Sequence, residues 1–246
     1  MPLYKEQGIV LRTYRLGEAD KIVTVMTQGA GKVRAVAKGI RKTTSKFGGR
    51  LEPFTHVSLM LYRGRGALDT VAQAEIVAPH RALRDDLGLF AAGEAMCEAV
   101  DKVAEEHERN IRLFLLLLSG MRALETRPRE PAAVAESFIL KLLSLSGFHP
   151  SLTACAVCGM PEPELFSSGQ GGAVCPTCAE HGAGPASRAS LALLAHLAVA
   201  DLPEAGYADA DPRVRGEARS MLYGFAEYHL ERRMKSLPML ARSLAT

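Results

Sequence analysis

The sequence predicts an α+β protein. A five-stranded barrel of the OB type is expected over residues 1–79, followed by an α-helical bundle over residues 80–246 that a four-cysteine zinc knuckle interrupts at about 153–182. Three observations predict it. The hydrophobic period changes from two to a helical spacing near Pro79. Before that point, five short β-branched-rich runs are separated by Gly-rich turns, which suits a small barrel. After it, two C-x2-C pairs stand between helical segments.

The strands are expected at Ile9–Tyr14, Ile22–Thr27, Lys32–Lys38, His56–Tyr62 and Leu68–Ala74. Gly29 and Gly31 supply the backbone freedom that a tight hairpin needs, and Gly64 and Gly66 do so for the last hairpin. In the third strand Lys32, Arg34, Val36 and Lys38 alternate with Val33, Ala35 and Ala37. Side chains alternate across a strand, so three cations share its outer face.

The helices follow in order. Ala82–Glu106 keeps apolar residues at helical spacing, and Asn110 is the expected N-cap of Ile111–Glu125. Pro131 suits the first turn before Ala132–Ser146, and Gly147 closes that helix. Ser187–Ala200 and Val214–Ser236 complete the set, the latter with Asp211 as cap and Pro212 at its first position. The longest apolar run, Leu113–Leu118, falls far short of the roughly 18–20 residues that cross a bilayer and is expected in a buried helix. With no apolar leader segment after Met1, the expected location is the cytoplasm.

Charge separates the halves. Residues 1–79 carry 13 basic and 6 acidic side chains, and residues 80–246 carry 17 and 21. The stretch from Lys21 to Leu51 has no acid, yet holds Lys32, Arg34, Lys38, Arg41, Lys42, Lys46 and Arg50. With Arg63 and Arg65 on the last hairpin, these are the expected contacts for a polyanion, most simply nucleic acid. Few aromatics lie in the block and the chain has no Trp, so backbone phosphate contacts should outweigh base stacking.

Cys155, Cys158, Cys175 and Cys178 form the two C-x2-C pairs, sixteen residues apart. Each pair closes a tight loop, and four thiolates satisfy one tetrahedral Zn²⁺ with no open position, which is a structural site. The Gly- and Pro-rich spacer is expected to hold little regular structure, leaving its organisation to the metal. His149 and His181 fall outside the spacing and read as surface residues, and Cys97 reads as a small buried hydrophobe. Gly29–Val33 lacks the first glycine and the Ser/Thr of a phosphate loop, and no H-E-x-x-H or G-x-S-x-G occurs. The chain reads as a binding protein rather than an enzyme, with no small-molecule substrate.

These pieces resemble the RecO family of bacterial DNA repair proteins. The resemblance runs through GIVLRTYRLGEADKIVTVMT, GKVRAVAKGIRK and LEPFTHVSLMLYRGRGALDTVAQAE, then through Gly147–Leu152 leading into Cys155 and Cys158, Gly171-Gly172 before Cys175, and Met234-Lys235-Ser236. It implies a recombination mediator that binds single- and double-stranded DNA and anneals complementary strands without nucleotide hydrolysis. It also implies that, with RecR, such a protein helps load recombinase onto DNA coated by single-strand binding protein. The acidic tail of single-strand binding protein is expected on the helical half. There the last helix offers Arg232, Arg233 and Lys235 beside Leu222, Phe225 and Leu230, although cations in a helix's last turn also simply complement its dipole. Two other classes remain compatible with the residues: a zinc-stabilised adaptor that binds an acidic protein tail, and an RNA-binding module on the same basic barrel.

Overall fold

The computed structural model describes residues 2–45 and 47–243. The first five strands are β1 (Leu3–Leu16), β2 (Asp20–Thr27), β3 (Gly31–Ala37), β4 (His56–Tyr62) and β5 (Asp69–Ala78). They close into a barrel of order β1-β2-β3-β5-β4, with β1 pairing back to β4 and β3 running parallel to β5. Closure leaves no sheet edge exposed to another chain. β1 is longer than expected because it serves two partners, its first half on β4 and its second on β2, with a bulge between Val10 and Arg12 where the strand turns. Val10, Val23, Val25, Val33, Ala35, Ala37, Val57, Leu59, Leu61 and Val71 fill the barrel, capped by Phe47 and Leu51 from the long β3–β4 connection.

A second core belongs to the helices but reaches into the barrel's outer face. Ile9 and Leu11 of β1, Met26 of β2 and Phe54 pack with the helical residues. The expected helix Ala82–Glu106 is two: α1 (Ala82–Asp85) and α2 (Leu87–Val103). The break is at Asp86, which takes an extended backbone and caps α2 by accepting a hydrogen bond from Leu89 N–H. α3 (Ile111–Glu125) starts at Asn110, whose side chain accepts from Leu113 N–H, and α4 (Pro131–Leu145) starts at its proline and ends before Gly147 at φ +90°.

The region between the cysteine pairs is more ordered than its composition suggests. It holds β6 (Leu165–Ser167) and β7 (Gly172–Val174), which form a small sheet with β8 (Gly184–Pro185) from beyond the second pair. The glycines serve that sheet: Gly172 has φ +133°, and a Cβ there would lie 2.4 Å from the Ser151 carbonyl oxygen. α5 (Arg188–Val199) and α6 (Pro212–His229) then pack on α4, and α7 (Leu237–Arg242) follows. α6 ends at His229 rather than at Ser236, because Glu231 adopts φ +51° and the N–H groups of 234–236 turn to the Glu227 and Glu98 carboxylates. α4 and α6 are also tied by a buried ion pair, Glu136 to Arg219 at 2.8 Å, with Tyr223 hydroxyl donating to the same carboxylate at 3.3 Å. No helix among the described residues is long and apolar enough to cross a membrane.

Two buried histidines line the seam between barrel and helices. His80 Nδ1 lies 3.0 Å from a Glu125 oxygen, and His56 of β4 stands edge-on to Phe114 of α3. Burial lowers both pKa values; the neighbouring charges of His80 and Arg122 add to this at His56, while Glu125 opposes it at His80. An unfolded His titrates near 6.5, so below that pH the unfolded chain takes up protons that the folded chain resists, and stability falls as pH drops. Thermal unfolding should therefore show a lower melting temperature at pH 5.5 than at 7.5, and His56→Gln with His80→Gln should shrink the difference.

At Gly31 (φ +69°) a Cβ would lie 1.9 Å from the Glu108 carbonyl oxygen, in the segment between α2 and α3. Gly31→Ala should lose about 2 kcal/mol or more in urea unfolding, from backbone strain and overpacking together.

Candidate nucleic-acid interface and metal centre

The basic block of the sequence is divided by the fold. The outward alternation of β3 is as expected, but its first two cations face the helical unit. Lys32 Nζ donates to the Asp101 carbonyl at 2.6 Å and lies 3.5 Å from the Asp101 carboxylate. Only 13% of its side chain is exposed. Arg34 pairs with Glu106 at 3.3 Å. Arg12 of β1 pairs with the other oxygen of Asp101 at 2.9 Å, and His107 N–H donates to the Lys32 carbonyl at 3.0 Å. The end of α2 and the segment after it are thus fastened to β1 and β3 by charge-assisted bonds.

The remaining cations lie away from this seam. Lys38, Lys42, Arg63 and Arg65 are exposed. The Arg41 guanidinium donates to the Glu18 carbonyl at 2.7 Å and holds the β3–β4 connection against the β1–β2 turn while itself staying exposed. Arg50 is half-buried and donates to the Phe47 carbonyl at 3.0 Å. Arg63 lies over the Tyr4 ring, 5.2 Å from its centre. Lys46 lies outside the described residues.

Arg232, Arg233 and Lys235 are exposed, but they follow α6 instead of ending it, so they do not complement its dipole. Leu222 and Phe225 are core residues at 1% exposure and leave no open wall beside these cations. Sequence reasoning missed Arg12, Asp101 and the pairing of Glu106 with β3. Arg12 lies outside the acid-free stretch, and nothing local marks Asp101 and Glu106 as the groups that meet β3.

The four cysteines converge. Their sulfurs all lie within 4.8 Å of one another, and Cys158 and Cys175 are 3.8 Å apart. A thiolate tetrahedron around zinc, with Zn–S of about 2.3 Å, has edges of about 3.8 Å, so the donor set fits such an ion. Each pair sits on a tight turn: Gly159 N–H donates to the Cys155 carbonyl and Cys178 N–H to the Cys175 carbonyl. Backbone N–H groups of Cys158 and Cys175 lower the Cys155 pKa to about 6, while hydrogen bonding with the Cys158 and Cys175 sulfurs raises Cys178 to about 12. The chemistry is that of a soft-metal site closed by four sulfurs. His149 and His181 are exposed and stand outside the cluster, and Cys97 is core.

Strand order and closure define the class: an OB-type barrel protein, joined here to a helical unit with a cluster of four thiols that fits a metal ion. Two family models match, "Recombination protein O N terminal" over residues 1–80 and "Recombination protein O C terminal" over residues 84–238. Proteins named "DNA repair protein RecO" are similar along their whole length. That of Frankia casuarinae is 46% identical over 99% of this chain and 100% of its own, and that of a Nocardioides species is 43% identical over 98% and 100%. The Thermobifida fusca protein is 40% identical over 99% and 100%. The chain belongs to the RecO family of DNA repair proteins.

The seam gives a graded expectation. Asp101→Asn removes the shared partner of Arg12 and Lys32 and should cost about 2 kcal/mol in urea unfolding, because Lys32 is largely covered. Glu106→Gln, at a half-exposed pair, should cost less than about 1 kcal/mol.

Proposed function

We propose that this protein binds single- and double-stranded DNA through the cations on the barrel, anneals complementary strands without nucleotide hydrolysis, and helps load recombinase onto DNA coated by single-strand binding protein. The observation that carries this reading is the pairing of a DNA repair family with exposed cations on turns of an OB-type barrel. Lys38, Arg41, Lys42, Arg63 and Arg65 are the principal contacts. Lys46 and Arg50 belong to the same connection, while Lys32 and Arg34 contribute mainly to the field, since acids already pair with them. Contacts made to phosphates leave the bases of a bound strand open to a complement, and shared cations relieve the repulsion between two polyanions. No nucleotide is needed for either effect.

Family membership supports RecR and single-strand binding protein as partners, and the cytoplasm, on the nucleoid, as the place of action. Arg232, Arg233 and Lys235 remain our candidates for the carboxylates of the single-strand binding protein tail, now as an exposed turn rather than a helix end. We assign zinc to the four cysteines, one ion per chain. Bound there, it would hold the β6–β8 sheet to the helices and take no part in chemistry.

Neutralising Lys38, Arg41 and Lys42 together to Gln should weaken binding to all sequences alike. It should also flatten the slope of log affinity against log salt by up to about 2 for single strands. The same variant should anneal labelled complementary oligonucleotides more slowly, in buffer without ATP. An unchanged slope and annealing rate would move DNA off the barrel. Elemental analysis should find about one zinc per chain, and Cys175→Ser should lower both zinc content and melting temperature.

A further inference from the structure

A groove of about 580 Å³ lies where the outer face of β1 meets α2 and α7 with the residues just before α7. Its size is that of a small-ligand cleft, enough for one nucleotide and far too small for a duplex. Tyr14 lines it and is 48% exposed, Met239 beside it is half-buried, and Leu11 is buried behind them. Lys102, Lys235 and Arg242 supply cations. We propose that this groove seats one unpaired base of a bound single strand, stacked on Tyr14, with the adjoining phosphate at Arg242. The proposal rests on the DNA-binding reading above and adds a subsite that distinguishes single strands from duplexes.

The ring is held in place before any ligand arrives. The Arg12 guanidinium lies over Tyr14, 4.7 Å from the ring centre, and Arg12 is itself fixed by Asp101 at 2.9 Å. The seam between barrel and helices therefore orients an aromatic side chain that stays half in solvent. A preset ring loses little freedom when a base stacks on it, and every base has a face that can do so.

The charges in the groove select the occupant. Three carboxylates line it: Glu94, Glu98 and Asp101. Glu98 is used internally, accepting from Lys235 N–H, Ser236 N–H and the Ser236 hydroxyl, with Lys102 Nζ at 3.5 Å. Asp101 is used by Arg12 and Lys32. Among the described residues, no ion pair engages Arg242, which leaves its guanidinium for a phosphate. Glu94 is half-buried, and burial followed by the nearby Glu98 charge raises its pKa. An acidic peptide would meet three carboxylates here, whereas a base carries no charge.

The test compares Tyr14→Ala and Tyr14→Phe with the unaltered full-length protein and with the Lys38, Arg41, Lys42 triple variant. Binding of a thymidine oligonucleotide and of a duplex of equal length is followed by anisotropy across a salt series. The chain has no Trp, so quenching of tyrosine emission by stacked bases is read in the same titrations. Tyr14→Ala should lower single-strand affinity on the order of tenfold at unchanged salt slope, leave duplex binding intact and remove part of the quenching. Tyr14→Phe should restore the affinity, and intact duplex binding shows that the variant is folded. Equal loss on both DNAs, or no loss on the single strand while the triple variant weakens both, overturns the groove proposal and leaves the barrel reading standing. No effect of either the triple variant or Tyr14→Ala overturns both. An acidic peptide whose binding is lost in Tyr14→Ala, with oligonucleotide binding untouched, would assign the groove to a peptide and overturn the proposal.

Discussion

Strands β1 and β2 carry apolar residues on both faces, and much of the molecule follows from having to cover the second one. Val10, Val23 and Val25 point into the barrel, while Ile9, Leu11 and Met26 point out of it. Each large apolar side chain left in water would cost roughly 1.5–3 kcal/mol, so the barrel needs a partner on that side. α2 and α3 supply it, and the apolar contact is edged by Arg12 and Lys32 on Asp101 and by Arg34 on Glu106. The same packing takes in Phe54, whose φ of +71° shows that the chain bends sharply to bring it there.

This contact also redistributes charge. The net positive field of the barrel is a property of composition and survives folding, but the seam withdraws two of its cations and fixes a third beneath an aromatic ring. What stays available for a polyanion is concentrated on the connection after β3 and on the β4–β5 hairpin. The proposed binding surface and the domain contact therefore adjoin at β3, whose Lys32 and Arg34 are paired while Lys38, just past its end, stays exposed.

The helical unit shows the opposite economy of charge. Glu136 is almost fully buried, and burial raises its pKa against the opposing pull of Arg219. It is retained at the centre of a network that locks α4 to α6 through Arg219, Tyr207 and Tyr223. Apolar packing between helices tolerates sliding, whereas a buried carboxylate with a guanidinium and hydroxyls around it accepts one register. The small sheet around the cysteines is held differently, by Ser151–Gly172 bridging and by the geometry of four sulfurs.

Much of this was legible in the residues alone. The five strands, their alternation, the caps at Asn110 and Asp211 and the four thiols are set by local rules, because a strand's period, a cap's hydrogen bond and a C-x2-C turn each involve only a few neighbouring residues. The break at Asp86 and the end of α6 at His229 were not legible. Helical periodicity continues through both, and the chain departs because carboxylates outside the expected pattern, Glu98 above all, accept the backbone N–H groups that a longer helix would have bonded. The regular strands between the cysteines escaped notice because glycine-rich composition gives no period to read. Least legible was the partition of the basic block. Lys32 in β3 and Lys38 just past its end are alike in sequence, six residues apart, and only the arrival of Asp101 from 69 positions downstream makes one a structural ion and leaves the other to solvent. Sequence determined which side chains were charged and which face they took; tertiary structure decided which charges were already spent, because an ion pair depends on what is near in space.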